Sequence, residues 1–167
     1  MKYSPQPLQL PLFERPYRYI IDACSIIAQN PAPQPYPREV HQGLWAHIDE
    51  LVRLKEIVTC GQIAREITGD GPAAKWVSES GIEIIAEDED VQEKVKLVVN
   101  EHPELLNFKR VKSSGDAFLI ATAIVHSLIV ITEESKASHI KIPAIASSYG
   151  LQVVNISELC ECEGWRF

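Results

Sequence analysis

Residues 113–134 read SSGDAFLIATAIVHSLIVITEE, and the fold turns on this stretch. Ala117 to Ile124 is mostly apolar and reads as a helix, with Ser113 or Ser114 placed to cap it and Asp116 in its first turn. After His126 and Ser127, Leu128 to Thr132 is a continuous apolar run, the pattern of a strand buried on both faces. A helix of about 11 residues carries the chain about 16 Å, at about 1.5 Å per residue. A strand of about 5 residues brings it about 16 Å back, at about 3.3 Å per residue. Asp116 and the Thr132-Glu133-Glu134 tip are therefore expected together at the carboxyl edge of a sheet, where open α/β proteins place their ligand sites.

Working toward the N-terminus, Tyr19 to Cys24 (YIIDAC) reads as a short buried strand ending in an acid, Asp22, and Glu56 to Cys60 as a second strand. Between them, the prolines of Asn30 to Pro37 exclude regular structure. From Arg38 the pattern turns helical, with Val40, Leu44, Ile48, Leu51 and Val52 on one face and Trp45 beside it. Gly61 to Ile67 reads as a short helix carrying Glu66, and Pro72 to Gly81 as another around Trp76. Ile82 to Ala86 is a third strand, followed by a helix with Val91, Val95, Val98 and Val99 at period 3.6. Toward the C-terminus, Lys141-Ile-Pro143 leads into a helix ending at Gly150, and Leu151 to Asn155 is a fifth strand. Alternating strands and helices predict a mostly parallel sheet covered on both faces.

The chain of 167 residues reads as a proline-rich arm over 1–17 and a single domain over 18–167. A net charge of -7 argues against nucleic-acid binding through a broad basic surface. It leaves room for a metal-dependent nuclease, whose site carboxylates are neutralised by cations. No apolar run reaches a membrane span, and the N-terminus lacks the apolar core of a signal peptide. Four cysteines make no disulfide framework, which reads as cytoplasmic. Cys24 and Cys60 lie among apolar residues and read as core, and Cys160 and Cys162 lack a second ligand pair for zinc.

Asp22, Asp116 and Glu134 fall on one expected edge, and Glu66 can reach it because helical side chains tilt toward the N-terminus. Carboxylate oxygens are the natural ligands of Mg²⁺ and Mn²⁺, and such an ion activates water and neutralises a phosphodiester's developing charge. Structural readings stand beside this one. Asp116 also suits a helix N-terminus, Glu66 a solvated face, and Glu133 and Glu134 a solvated turn. Asp22 is harder to dismiss, since an acid flanked by Tyr-Ile-Ile and Ala-Cys-Ser-Ile-Ile is costly to bury unpaired.

These residues resemble a known family. Ile-Ile-Asp22-Ala-Cys-Ser25-Ile-Ile resembles the first motif of PIN domains, and Ile63-Ala-Arg-Glu66-Ile their second-acid motif. Ser114-Gly-Asp116-Ala-Phe-Leu-Ile-Ala-Thr-Ala is similar to the third motif, and Thr132-Glu-Glu134 to the closing Thr-x-acid. Order and spacing match across residues 18 to 155, and Tyr36-Pro37…Leu44-Trp45 with Lys-Ile-Pro143 resembles a PIN subfamily without an assigned biological role. The resemblance implies a doubly wound five-stranded parallel sheet with helices on both faces and Mg²⁺- or Mn²⁺-dependent RNA cleavage. It implies catalytic, metal-holding roles for Asp22, Glu66, Asp116 and Glu134, with Ser25 and Thr132 orienting the acids. Where the family closes on aspartate this chain has Glu134, with Glu133 beside it as a substitute; register favours Glu134. Lys109, Arg110 and Lys112, just before the third motif, suit either RNA phosphates or an ordinary solvated loop. Relatives of this size imply a VapC-like toxin, a homodimer held silent by an antitoxin protein, and the apolar Leu44-Trp45 helix, read as more than one core needs, suits such a dimer. The competing class is a catalytically weak PIN-like interaction module. A dehalogenase-type phosphatase is disfavoured, because Asp22-Ala-Cys24 lacks the second acid of Asp-x-Asp.

Overall fold

The apolar run Tyr19–Ile21 forms β1, wholly buried at the centre of a five-stranded sheet in a computed structural model that describes residues 17–106 and 114–167. The strand order is β3-β2-β1-β4-β5, with β2 at Ile57–Cys60, β3 at Glu83–Ile85, β4 at Ile129–Ile131 and β5 at Val153–Val154. Every neighbouring pair is parallel; Tyr19 stands opposite Ile57 on one side and Ile129 on the other. A strand walled on both edges and both faces must be almost wholly apolar, which is why β1 and β4 read as hydrophobic runs and β2 departs from one only at Thr59, whose hydroxyl donates to the Ile21 carbonyl at 3.0 Å. The chain winds outward from β1 to β3, crosses back, and continues from β4 to β5, so the direction of winding reverses between β1 and β4. Ligand crevices of open α/β sheets form at such a reversal, beyond the carboxyl ends of the strands.

The helices follow in chain order: α1 at Ala23–Ile27, α2 at Gln42–Arg53, α3 at Gly61–Glu66, α4 at Pro72–Glu79 and α5 at Glu89–Glu101. After a 3-10 turn over Pro103–Leu105 come α6 at Ser114–His126, α7 at Ile142–Ser148 and α8 at Ile156–Glu163. The expected helix at residues 117–124 is thus the middle of α6. Its Ala117, Leu119, Ile120, Ala121 and Ala123 are all buried, as a helix apolar on every side must be. It packs most extensively against α5.

Four expectations change. Asp22 does not extend the first strand: β1 stops at Ile21, and Asp22 caps α1, whose first residues are Ala23 and Cys24. Val40 does not share the apolar face of α2, because that helix begins at Gln42 and Val40 is 75% exposed. Leu44 and Trp45 were expected to exceed one core's needs and so to serve a dimer. Both are buried within this chain, Trp45 completely, with its indole N–H donating to the Tyr36 carbonyl at 2.8 Å. Helix α8 had no counterpart in the pattern reading, although Asn155 and Glu158 form a capping box at its start. The arm over 1–16 and the basic Lys109, Arg110 and Lys112 lie outside the described residues. Among the described residues no helix is long and apolar enough to cross a membrane, and all four cysteines are free.

Candidate active site

Strand β1 delivers Asp22 to the reversal point, where it is only 4% exposed. A carboxylate in that position must be hydrogen-bonded. Its Oδ1 accepts from the Ala23 N–H at 2.7 Å, capping α1. Its Oδ2 accepts from Thr132 Oγ1 at 2.9 Å and from the Cys24 thiol at 3.0 Å. Burial pushes the Asp22 carboxyl above the usual range, and these donors offset only part of the rise.

The other acids arrive from three elements. Asp116 lies in the first turn of α6, with its carboxyl pushed up to about 8 by burial and then by the charges of Asp22, Glu134 and Glu66. Glu134 follows β4; its Oε2 accepts from the Ile142 N–H at 2.9 Å at the start of α7, and burial and Asp22 raise its pKa. Glu66, on the last turn of α3, lays its carboxylate against Gly115, next to Asp116 in the chain. Among the described residues Asp22, Asp116 and Glu134 take part in no ion pair, and the charge of Lys141 offsets only part of the rise that burial and Asp22 impose on Glu134.

Tertiary structure separates Glu133 from Glu134. Glu133 Oε1 accepts from the Ile156 N–H at 2.7 Å at the start of α8, and its charged neighbour is Glu158. It faces a helix start on the β5 side, whereas Glu134 is the one that feels Asp22. Successive residues leaving a strand point to opposite sides, so one serves a structural cap and the other faces the acids.

The donor expected at Ser25 is found at Cys24 instead. Ser25 Oγ is buried with no hydrogen-bond partner among the described residues. The half-buried Cys24 thiol meets Asp22 Oδ2, lies 3.3 Å from Thr132 Oγ1, and accepts from the Glu133 N–H at 3.3 Å. Burial and the adjacent Asp22 charge drive its pKa upward, so it stays a protonated donor. The apolar neighbours of Cys24 in sequence concealed this role. Cys24→Ser retains a donor and should leave the site intact. Cys24→Ala removes one of three donors and should lower stability by about 1 kcal/mol. Equal melting temperatures for the Ser and Ala variants would show that the thiol donates nothing.

The donor set suits a hard divalent cation: carboxylate oxygens only, partly withdrawn from water, and mutually repelling. Among the described residues, however, no three His, Cys, Asp or Glu side chains form a group already close enough to hold a metal ion. The acids meet at one edge without being drawn together as ligands. Cys160 and Cys162, on α8, belong to no such group either.

Neither the curated proteins nor the solved structures show a match to this chain. One family matches residues 19–167, from the first residue of β1 to the C-terminus. The chain therefore belongs to the family described as a domain of unknown function, DUF4411.

Proposed function

We propose that the protein is a PIN-type, metal-dependent ribonuclease that hydrolyses RNA phosphodiesters. The observation that carries this reading is the convergence of four carboxylates on one sheet edge, with Asp116 feeling the charge of Asp22, Glu134 and Glu66. A structural role leaves such a cluster unexplained, because repulsion between buried acids destabilises the fold. Bound there, Mg²⁺ or Mn²⁺ supplies activation of water and neutralisation of charge developing on the phosphodiester. Asp22, Asp116 and Glu134 would hold the ion, with Glu66 completing the set.

The protein's own groups prepare that edge. Thr132 and Cys24 fix the Asp22 carboxylate from one side and the Ala23 N–H fixes it from the other. The Ile142 N–H does the same for Glu134. Burial and the neighbouring charges push the Asp116 carboxyl up to about 8 in the cation-free protein, so cation uptake should release a proton and tighten as pH rises.

Purified protein should cleave a structured RNA when Mg²⁺ or Mn²⁺ is present and stop when EDTA removes the ion. Cleavage that EDTA leaves untouched, or none with either metal, would sink this reading. By the same resemblance we place the protein as the toxin of a toxin–antitoxin pair, acting as a homodimer. A small adjacent gene encoding a protein with a DNA-binding N-terminus supports that placement, and sedimentation showing only the 18.7 kDa chain counts against the dimer.

One observation favours the second reading, a protein-interaction module. Tyr36, Val40, Leu44, Ile156 and Phe167 line a groove of about 390 Å³, and Val40 and Phe167 are 75% and 74% exposed. Exposed apolar surface of this kind marks contact with another chain.

A further inference from the structure

We infer that Gly115 is a positioning residue: its missing side chain is the space in which the Glu66 carboxylate lies beside Asp116. This inference rests on the nuclease reading and concerns how the fourth acid is brought to the site. Gly115 is the second residue of α6 and is buried. A Cβ built on it would fall onto Glu66 Oε1 and stand 2.7 Å from Glu66 Cδ and 3.1 Å from Glu66 Oε2. The three atoms nearest that Cβ all belong to Glu66.

The chemistry of the two helices explains why the contact matters. Helix α3 is only six residues long and ends at Glu66, so its glutamate must reach across to α6 to join Asp116. Helical N-termini favour a carboxylate through their unpaired N–H groups and dipole, but only if the backbone can be approached closely. A glycine in the first turn permits that approach. Backbone freedom is not the reason for it, since Gly115 is part of a regular helix and has no positive φ. Alanine is the better helix former, so the sequence carries the poorer residue where the acid needs room. Because the clash involves the far end of a long side chain, Gly115→Ala should turn Glu66 away and leave the fold standing.

The test is a double-mutant cycle on the full chain with Gly115→Ala, Glu66→Ala and the pair together, read by Mn²⁺ titration calorimetry and by the melting temperature without metal. Gly115→Ala should weaken Mn²⁺ binding by about tenfold or more, the scale of losing a group that supports a metal site. Glu66→Ala should lose as much, and the double variant no more than either, because both remove the same carboxylate. Without metal, Gly115→Ala should raise the melting temperature by about 2 °C in the Glu66→Ala background, the ordinary gain for alanine in a helix. With Glu66 present that gain should vanish or reverse.

Unchanged Mn²⁺ affinity in Gly115→Ala, or losses that add in the double variant, would overturn the inference. Should Gly115→Ala fail to fold, folding of the double variant supports the contact, and failure of both refutes it. If the wild-type protein binds no Mn²⁺, the metal reading fails by itself. The melting cycle then decides on Gly115: a background-dependent shift sustains the contact, and equal shifts in both backgrounds dismiss it.

Discussion

Asp116→Asn is expected to reduce metal-dependent RNA cleavage by at least about 100-fold while the protein remains folded, a loss typical of removing a strong electrostatic catalytic group. Asparagine keeps the shape of the side chain in the first turn of α6 and discards its negative charge. The same substitution should stabilise the cation-free protein at alkaline pH. Burial, then the charges of Asp22, Glu134 and Glu66, push the Asp116 carboxyl up to about 8 in the fold, against an ordinary value of 3.8. Between those values the folded chain holds a proton that the unfolded chain has lost. The stability so contributed is complete below about pH 4 and disappears as pH rises through about 8. Wild-type protein in EDTA should therefore melt at lower temperature at pH 9 than at pH 5, by about 4 °C or more, equivalent to about 1–2 kcal/mol. Asp116→Asn should flatten much of that slope. Asp22 and Glu134 shift in the same direction and keep the remainder. A variant that cleaves like wild type removes Asp116 from the chemistry, and an unaltered pH slope removes it from the repulsive cluster.

Asp22→Ala is expected to abolish cleavage and also to lower the melting temperature by about 4–10 °C, for a loss of about 2–3 kcal/mol. The difference from Asp116 lies in the partners. Asp22 caps α1 and accepts hydrogen bonds from the Ala23 N–H, Thr132 and Cys24 while almost fully buried. Losing a cap costs about 0.5–2 kcal/mol, and a buried donor without an acceptor about 1–3 kcal/mol. Relief from burying a charge offsets part of this. Asp22→Asn separates the two roles. Asparagine caps a helix as well as aspartate, and the Thr132 hydroxyl can turn to accept from its amide. That variant should melt near the wild-type temperature and still fail to cleave. Thermal unfolding followed by circular dichroism, beside the RNA assay, checks both statements. An Asp22→Ala protein that melts like wild type would mean that the cap and its donors hold nothing together.

The two acids show how far the linear pattern reaches. Continuous apolar runs at Tyr19–Ile21, Ile57–Cys60 and Ile129–Ile131 mark buried parallel strands. The matched lengths of a helix and the strand after it place Asp116 and Glu134 at the same edge. Those are local properties, written in periodicity and rise per residue, and the sequence determined them. Helix α8 was equally legible in Asn155 and Glu158, whose capping box announces a helix start.

Long-range contacts decided the rest. That Glu133 accepts from the first N–H of α8 while Glu134 feels the charge of Asp22 depends on where β5 and α8 lie beside β4. That Cys24 rather than Ser25 holds Asp22 depends on the turn made by α1 once β1 stops. Leu44 and Trp45 look like surplus apolar surface until Trp76 and Tyr36 close over them. Gly115 resembles any first-turn residue until α3 brings Glu66 against it. Alternation and helical period record which face of an element is apolar. Which side chains from distant elements share a few ångströms follows from strand order and packing, and these exist only once the chain has closed.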